Sequence, residues 1–96
     1  MKLSIVICNF NYGRFLDAAI SSALAQSYEN TEVIVVDDAS TDDSRQTIER
    51  RQASIKSVLL ETNQGQVEAY NRGFEAALGD VILFLDSDDT LDATVS

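Results

Sequence analysis

The sequence predicts an α/β fold, a Rossmann-like three-layer α/β/α arrangement around a mostly parallel sheet. Four short apolar runs recur along the chain, at 3–8, 32–38, 57–61 and 81–86, and they are continuous and β-branched rather than alternating, as expected of strands covered on both faces. Segments with helical periodicity or helix-start signals separate them. Alternation of this kind builds a parallel sheet through right-handed crossovers. Polar and acidic residues gather where the runs end, as CNFNYG, DDAS, ETNQG and DSDD. In open parallel sheets that is the edge where ligands bind.

The first strand, LSIVIC, precedes a helix in which Phe15, Leu16, Ala19, Ile20, Ala23 and Leu24 recur at helical spacing, a stripe directed toward a sheet. The second strand, EVIVVDD, is followed by Ser40 and Asp43, whose Ser-x-x-acid spacing predicts an N-terminal cap for the mostly polar helix SRQTIERRQASI. After the third strand, SVLLE, the segment QVEAYNRGFEAAL places Val67, Tyr70, Phe74 and Ala77 on one helix face, with Gly79 as the stop. The fourth strand, VILFLD, leads into Asp86, Asp88 and Asp89 and is expected to present an open apolar edge through which copies of the chain self-associate. No internal repeat, linker or low-complexity segment divides the 96 residues, so a single domain with one core is expected.

Composition narrows the partners. The chain is 45% hydrophobic and 24% charged with no proline, which fits one soluble globular domain. Sixteen acidic against seven basic residues give a net charge of -9, which argues against sequence-independent attraction to DNA, RNA or anionic lipid. A divalent cation suits that balance. Cys8 is the sole cysteine, so no internal disulfide forms and a reducing compartment is implied. With no histidine in the chain, Cys8 reads as a small buried hydrophobe rather than a nucleophile, and serine–histidine triads and the commonest zinc sites are excluded. MKLSIVIC turns polar at Asn9, too early for a signal peptide, and no stretch approaches the ~20 apolar residues of a membrane span, so the chain reads as soluble and cytoplasmic.

Candidate chemistry sits at the strand ends. Asp86 and Asp88 are two apart, so an extended backbone points both to one side. Converging carboxylates repel unless a cation sits among them, and all-oxygen donors suit Mg²⁺ or Mn²⁺, the usual partners of phosphate-bearing substrates. The bland alternative is a solvated acidic turn. Asp37 and Asp38 are adjacent, so their side chains take opposite faces and one of them faces the cleft. There it could accept hydrogen bonds from a nucleobase imide or a ribose hydroxyl, a role that suits Asp38 if Asp37 turns toward the helix and caps it or the DAST turn. Asn9, Phe10, Asn11, Tyr12 and Gly13 offer an aromatic face with flanking amides. Phe10 either stacks on a base or packs in the core beside Phe15. Neither GxGxxG after the first strand nor GxxxxGK[ST] is present, which counts against dinucleotide-binding and P-loop folds.

Taken together and in order, SIVICNFNYGRFL, ALAQSY, EVIVVDDASTDDS, TNQGQVEAYNRGFEAALGD and VILFLDSDD resemble the family 2 glycosyltransferases of the GT-A fold over nearly the whole chain. The resemblance implies that residues 1–96 form the nucleotide-diphospho-sugar-binding portion of such a domain, without its acceptor-binding half. It implies a transferase that moves a sugar from a nucleotide-diphospho-sugar, UDP-linked, to the hydroxyl of a saccharide or lipid-linked acceptor in cell-surface polysaccharide synthesis. By position it puts Phe10 and Asn11 near the base, Asp38 on the uracil or ribose, Asp86 at the ribose and metal, and Asp88 on a Mn²⁺ or Mg²⁺ ion. Asp89 extends the motif toward donor or acceptor. The general base of the inverting members matches no residue here and is expected beyond Ser96, so the isolated chain is expected to be inactive. The longer protein is expected to lie peripherally at the inner face of the membrane. Cys8 stands where that family most often has proline, and Tyr70 stands before Asn71 where a basic residue is common, so no charge contact to the donor is implied from that helix.

Two other readings compete. VILFLDSDDT also resembles the first motif of haloacid-dehalogenase-type phosphatases, but that motif belongs to the first strand of its domain, and here other strand–helix units precede it. A catalytically silent fragment that binds nucleotide and metal is the second.

Overall fold

In the computed structural model, which describes residues 2–25 and 30–86 (Asp86 by its backbone alone), β1 (Leu3–Asn9), β2 (Thr31–Asp38), β3 (Lys56–Leu60) and β4 (Val81–Asp86) form one sheet. All three pairings are parallel and the order is β3-β2-β1-β4. The helices are α1 (Gly13–Leu24), α2 (Ser44–Arg51) and α3 (Gln66–Ala76). The chain steps outward from β1 to β2 to β3 and then crosses back to β4 on the far side of β1. Strand order therefore reverses between β1 and β4, where Cys8 is registered with Asp86.

β1 and β2 are continuously apolar because the sheet is covered on both faces. On one face Ile5, Ile7, Val33, Val35 and Leu85 pack against α1 and against Ile48 of α2. On the other, Val6, Cys8, Ile34, Val36 and Leu60 pack around Ala69 of α3. A fully buried Val, Leu or Ile is worth roughly 1.5–3 kcal/mol, so these two central strands supply most of the hydrophobic stabilisation. Cys8 is buried among them.

The helices depart from the expected faces. In α1, Leu16, Ala19, Ile20 and Ala23 are buried, whereas Phe15 and Leu24 lie at the margin of the stripe and are exposed. In α3 the departure is larger: Val67 is 75% and Phe74 60% exposed, and the face on the sheet is Ala69 and Gly73. A Cβ at Gly73 would overlap Val6 Cγ1 and crowd Val36 Cγ2, so the helix approaches the sheet through its small residues. Tyr70 sits between the two faces, its ring edge-on to Phe84 of β4 at 5.2 Å and its hydroxyl accepting from Gln66 Nε2. Gly79 does not stop α3, which ends at Ala76 with Ala77 extended. Its missing side chain makes room for Ser4 and the Lys2 carbonyl as the chain enters β4.

The predicted Ser40–Asp43 capping box is also absent. Asp43 stands at the N-cap of α2 without a side-chain cap bond, and Ser40 is engaged elsewhere. Asp42 takes that work, accepting from the Ser44 amide (2.9 Å) and hydroxyl (2.5 Å) through Oδ1 and from the Gly13 amide (2.9 Å) through Oδ2. Burial would raise its pKa, but the Ser44 hydroxyl and these amides bring it below the ordinary value.

The N-terminal edge of the sheet is braced by Glu32. Its Oε2 accepts from the Ser4 hydroxyl (2.5 Å) and the Leu78 amide (2.7 Å), and its Oε1 from Lys56 Nζ (3.1 Å). Burial pulls its pKa upward, but the Ser4 hydroxyl, the Leu78 amide and Lys56 outweigh it and lower the carboxyl to about 2. Gly79 N–H donates to the same Ser4 hydroxyl, which ties the approach to β4 into this brace.

Candidate functional site

The opposite edge, where the four strands end, gathers the residues singled out in the sequence. Asp37 and Asp38 do take opposite faces. Asp37, the last residue of β2 on the α1–α2 side, is fully buried. Its Oδ1 accepts from Asn9 Nδ2 (2.9 Å) and the Ser40 hydroxyl (2.6 Å), and its Oδ2 from the Ser40 amide and Arg45 Nε, both at 3.0 Å. Every part of this carboxylate is committed to the protein, so its role is to hold the turn that follows β2. Arg45 extends the network by donating through Nη2 to the Leu60 carbonyl at the end of β3.

The turn itself is tightly wound. Ala39 adopts a left-handed conformation with φ 61° and Asn11 another with φ 56°. Asparagine tolerates this region better than alanine, which lacks a side-chain polar group to compensate. The Ser40 hydroxyl holds both segments together, accepting from Asn9 Nδ2 (3.2 Å) and the Asn11 amide (2.9 Å). Asn11 Oδ1 in turn accepts from the amides of Thr41 (2.8 Å) and Asp42 (3.3 Å). Asn11 thus laces the β1–α1 loop to the β2–α2 loop.

Asp38, on the α3 side, is 4% exposed. Its Oδ1 accepts from the Gln64 amide (2.7 Å), its Oδ2 from the Gly65 amide (3.0 Å), and its carbonyl from Asn63 Nδ2 (3.3 Å). Gly65, at φ 90°, is the N-cap of α3, so Asp38 fixes the start of that helix. Each carboxylate oxygen carries two lone pairs, and one amide on each leaves acceptor capacity.

Phe10 is 43% exposed just past the end of β1, which overturns its alternative placement in the core beside Phe15, itself exposed. Tyr12, two residues on, is also exposed and packs on Phe15 with ring centroids 6.2 Å apart. Asn9 is buried, and its Oδ1 has no donor among the described residues. Asp86 closes β4 at the point where strand order reverses, by its backbone, while its side chain, Asp88 and Asp89 lie outside the described residues. Among the described residues no group of three His, Cys, Asp or Glu could hold a metal ion. No helix among them is long and apolar enough to cross a membrane.

The edge therefore brings together Phe10, Asn11, Asp38 and the end of β4, and assigns Asp37 to the frame. Sequence reasoning missed Arg45, and it placed the 63–65 turn at this edge without its hold on Asp38. The signal for Arg45 was a basic residue in the first turn of α2, eight positions after Asp37, but a cation so near a helix N-terminus becomes meaningful only once β3 is placed beside β2.

Comparison with known proteins agrees with this geometry. The family model described as Glycosyl transferase family 2 matches residues 4–95. An uncharacterized glycosyltransferase of Nostoc sp. is 48% identical over 92 residues, 93% of this chain and 29% of that protein. The crystal structure of Staphylococcus aureus TarS 1-349 in complex with UDP superposes with a TM-score of 0.88 at 33% identity, over 97% of this chain and 29% of that one. Glucosyl-3-phosphoglycerate synthase from Mycobacterium tuberculosis, in complex with Mn²⁺, UDP and glucosyl-3-phosphoglycerate, has a TM-score of 0.76 at 26% identity, over 90% of this chain and 33% of that one. The chain thus spans about a third or less of each of these proteins.

Proposed function

The chain belongs to glycosyl transferase family 2, and on that premise we propose that it is the donor-binding portion of a GT-A glycosyltransferase that moves a sugar from a UDP-linked donor to an acceptor hydroxyl in cell-surface polysaccharide synthesis. The observation that carries this reading is the reversal of strand order between β1 and β4, with the exposed Phe10 beyond one strand and Asp86 closing the other. In open parallel sheets a ligand sits outside the carboxyl ends at such a point. The likeness to TarS, solved with UDP and with UDP-GlcNAc, supports the choice of nucleotide.

Phe10 offers a ring on which the base stacks, and Asn11 holds that loop in place. Asp38 accepts from the uracil imide or the ribose with the lone pairs that Gln64 and Gly65 leave open. Asp86 and Asp88 supply carboxylate oxygens, a donor set that fits Mn²⁺ or Mg²⁺. The four donors on Asp37 leave it badly disposed as a metal ligand. A divalent ion bound there would neutralise the departing diphosphate as a Lewis acid. We place the general base and the acceptor site outside these 96 residues, so the isolated chain binds donor without transferring sugar, and we place the longer protein at the inner face of the membrane. The half-exposed Val81, Leu83 and Phe84 along β4 support self-association of the isolated chain.

Calorimetric titration with UDP, with and without Mn²⁺, tests the proposal. Metal-enhanced binding is expected, Asp88→Ala should remove the enhancement, and Asp38→Ala should weaken UDP even without metal. Absence of binding at millimolar UDP would contradict the donor site.

A further inference from the structure

We infer that Arg45 is a positioning residue for the nucleoside subsite, holding the carboxyl ends of β2 and β3 together so that Asp38 and the 63–65 turn keep one geometry; this rests on the donor-site reading above. Arg45 touches no position assigned to the ligand. Its guanidinium spans two strand ends, with Nε on the buried Asp37 carboxylate at 3.0 Å and Nη2 on the Leu60 carbonyl. Leu60 is the registered partner of Asp38 and the last residue of β3. The chain leaves that carbonyl, turns through residues 61–65, and returns the Gln64 and Gly65 amides to Asp38. Arg45 therefore fastens the root of a loop whose tip is fastened by Asp38.

The same side chain governs the other flank. Asp37 orients Ser40, whose hydroxyl receives the Asn11 amide, one residue after Phe10. Among the described residues Arg45 is the cation paired with Asp37. An exposed ion pair contributes little, but a carboxylate with no exposed surface that loses its cation is left uncompensated, and the groups around it must rearrange. A planar guanidinium fixes two acceptors relative to one another, which a lysine ammonium on a flexible stem does not.

The test compares Arg45→Met, Arg45→Lys and the double variant Asp37→Asn with Arg45→Met, in the 96-residue chain. Melting temperature, amide hydrogen exchange at Gln64 and Gly65 without ligand, and UDP affinity in Mn²⁺ are measured for each. Arg45→Met should speed exchange at both amides and weaken UDP by about tenfold. Arg45→Lys should recover much of the melting temperature but neither the exchange protection nor the affinity. The double variant should likewise recover stability, by removing the uncompensated charge, without recovering affinity. A folded Arg45→Met protein with wild-type exchange and wild-type UDP affinity would overturn the inference. So would affinity that follows melting temperature across the three variants, since that marks a purely structural role. If Arg45→Met does not fold, Arg45→Lys decides: retained stability with lost affinity supports the role, and retention of both overturns it. Failure of the wild-type chain to bind UDP would instead overturn the donor site, while the exchange measurements still show whether Arg45 orders the loop.

Discussion

Ala39 occupies a left-handed conformation between the two aspartates' strand and Ser40, where an L-residue with no polar side chain costs about 1 kcal/mol. The strain persists because Ser40 is held through its amide and hydroxyl by Asp37. Ala39→Gly should relieve it, and the gain, less the extra freedom glycine has in the unfolded chain, should be roughly 0.5 kcal/mol in a chemical denaturation curve. An unchanged or lower midpoint would show that the turn is not strained. That Asp37 and Asp38 take opposite faces was legible from the alternation of side chains along a strand. What occupies each carboxylate was not, because Asn9, Arg45 and the 63–65 turn reach them across 28, 8 and more than 20 positions through strand pairing.

At the scale of elements, strands were easier to read than helix faces. Continuous apolar runs locate β1 to β4 to within two residues; β1 and β2 are buried on both sides, as such runs predict, whereas the edge strands β3 and β4 keep the apolar run although Leu59, Val81, Leu83 and Phe84 are exposed. In α3 the large apolar residues gave a misleading stripe. Val67 and Phe74 point outward while Ala69 and Gly73 meet the sheet, because close approach of a helix favours small side chains over large ones. Gly73→Ala puts this to the test. Helix propensity favours alanine by about 1 kcal/mol, but its Cβ must displace Val6 in a filled core, which costs about 1–3 kcal/mol. A net loss of stability is expected, and a gain would mean that α3 sits farther from β1.

For the whole molecule, the two edges of the sheet have separate tasks. The N-terminal edge is a stability device centred on Glu32, whose carboxyl is lowered in the fold from 4.5 to about 2. Between those values the unfolded chain binds more protons than the folded one. The contribution is therefore complete above about pH 4.5 and is lost as pH falls toward 2. Glu32→Gln should cost roughly 1–2 kcal/mol near neutrality, and its difference from wild type should narrow through that window in pH-dependent melting. The flank of the sheet along β4 is apolar, and Leu83→Lys should lower the apparent mass in light scattering if copies pair there. We propose that the C-terminal edge carries the donor site, and its location is the central claim. Paramagnetic broadening of amide signals on adding Mn²⁺ and UDP tests this most directly. Selective loss of the Asn9, Phe10, Asp38 and Asp86 signals, with those of Glu32 and Leu78 retained, is the predicted result. Broadening centred on the Glu32 edge, or spread evenly over the chain, would contradict it.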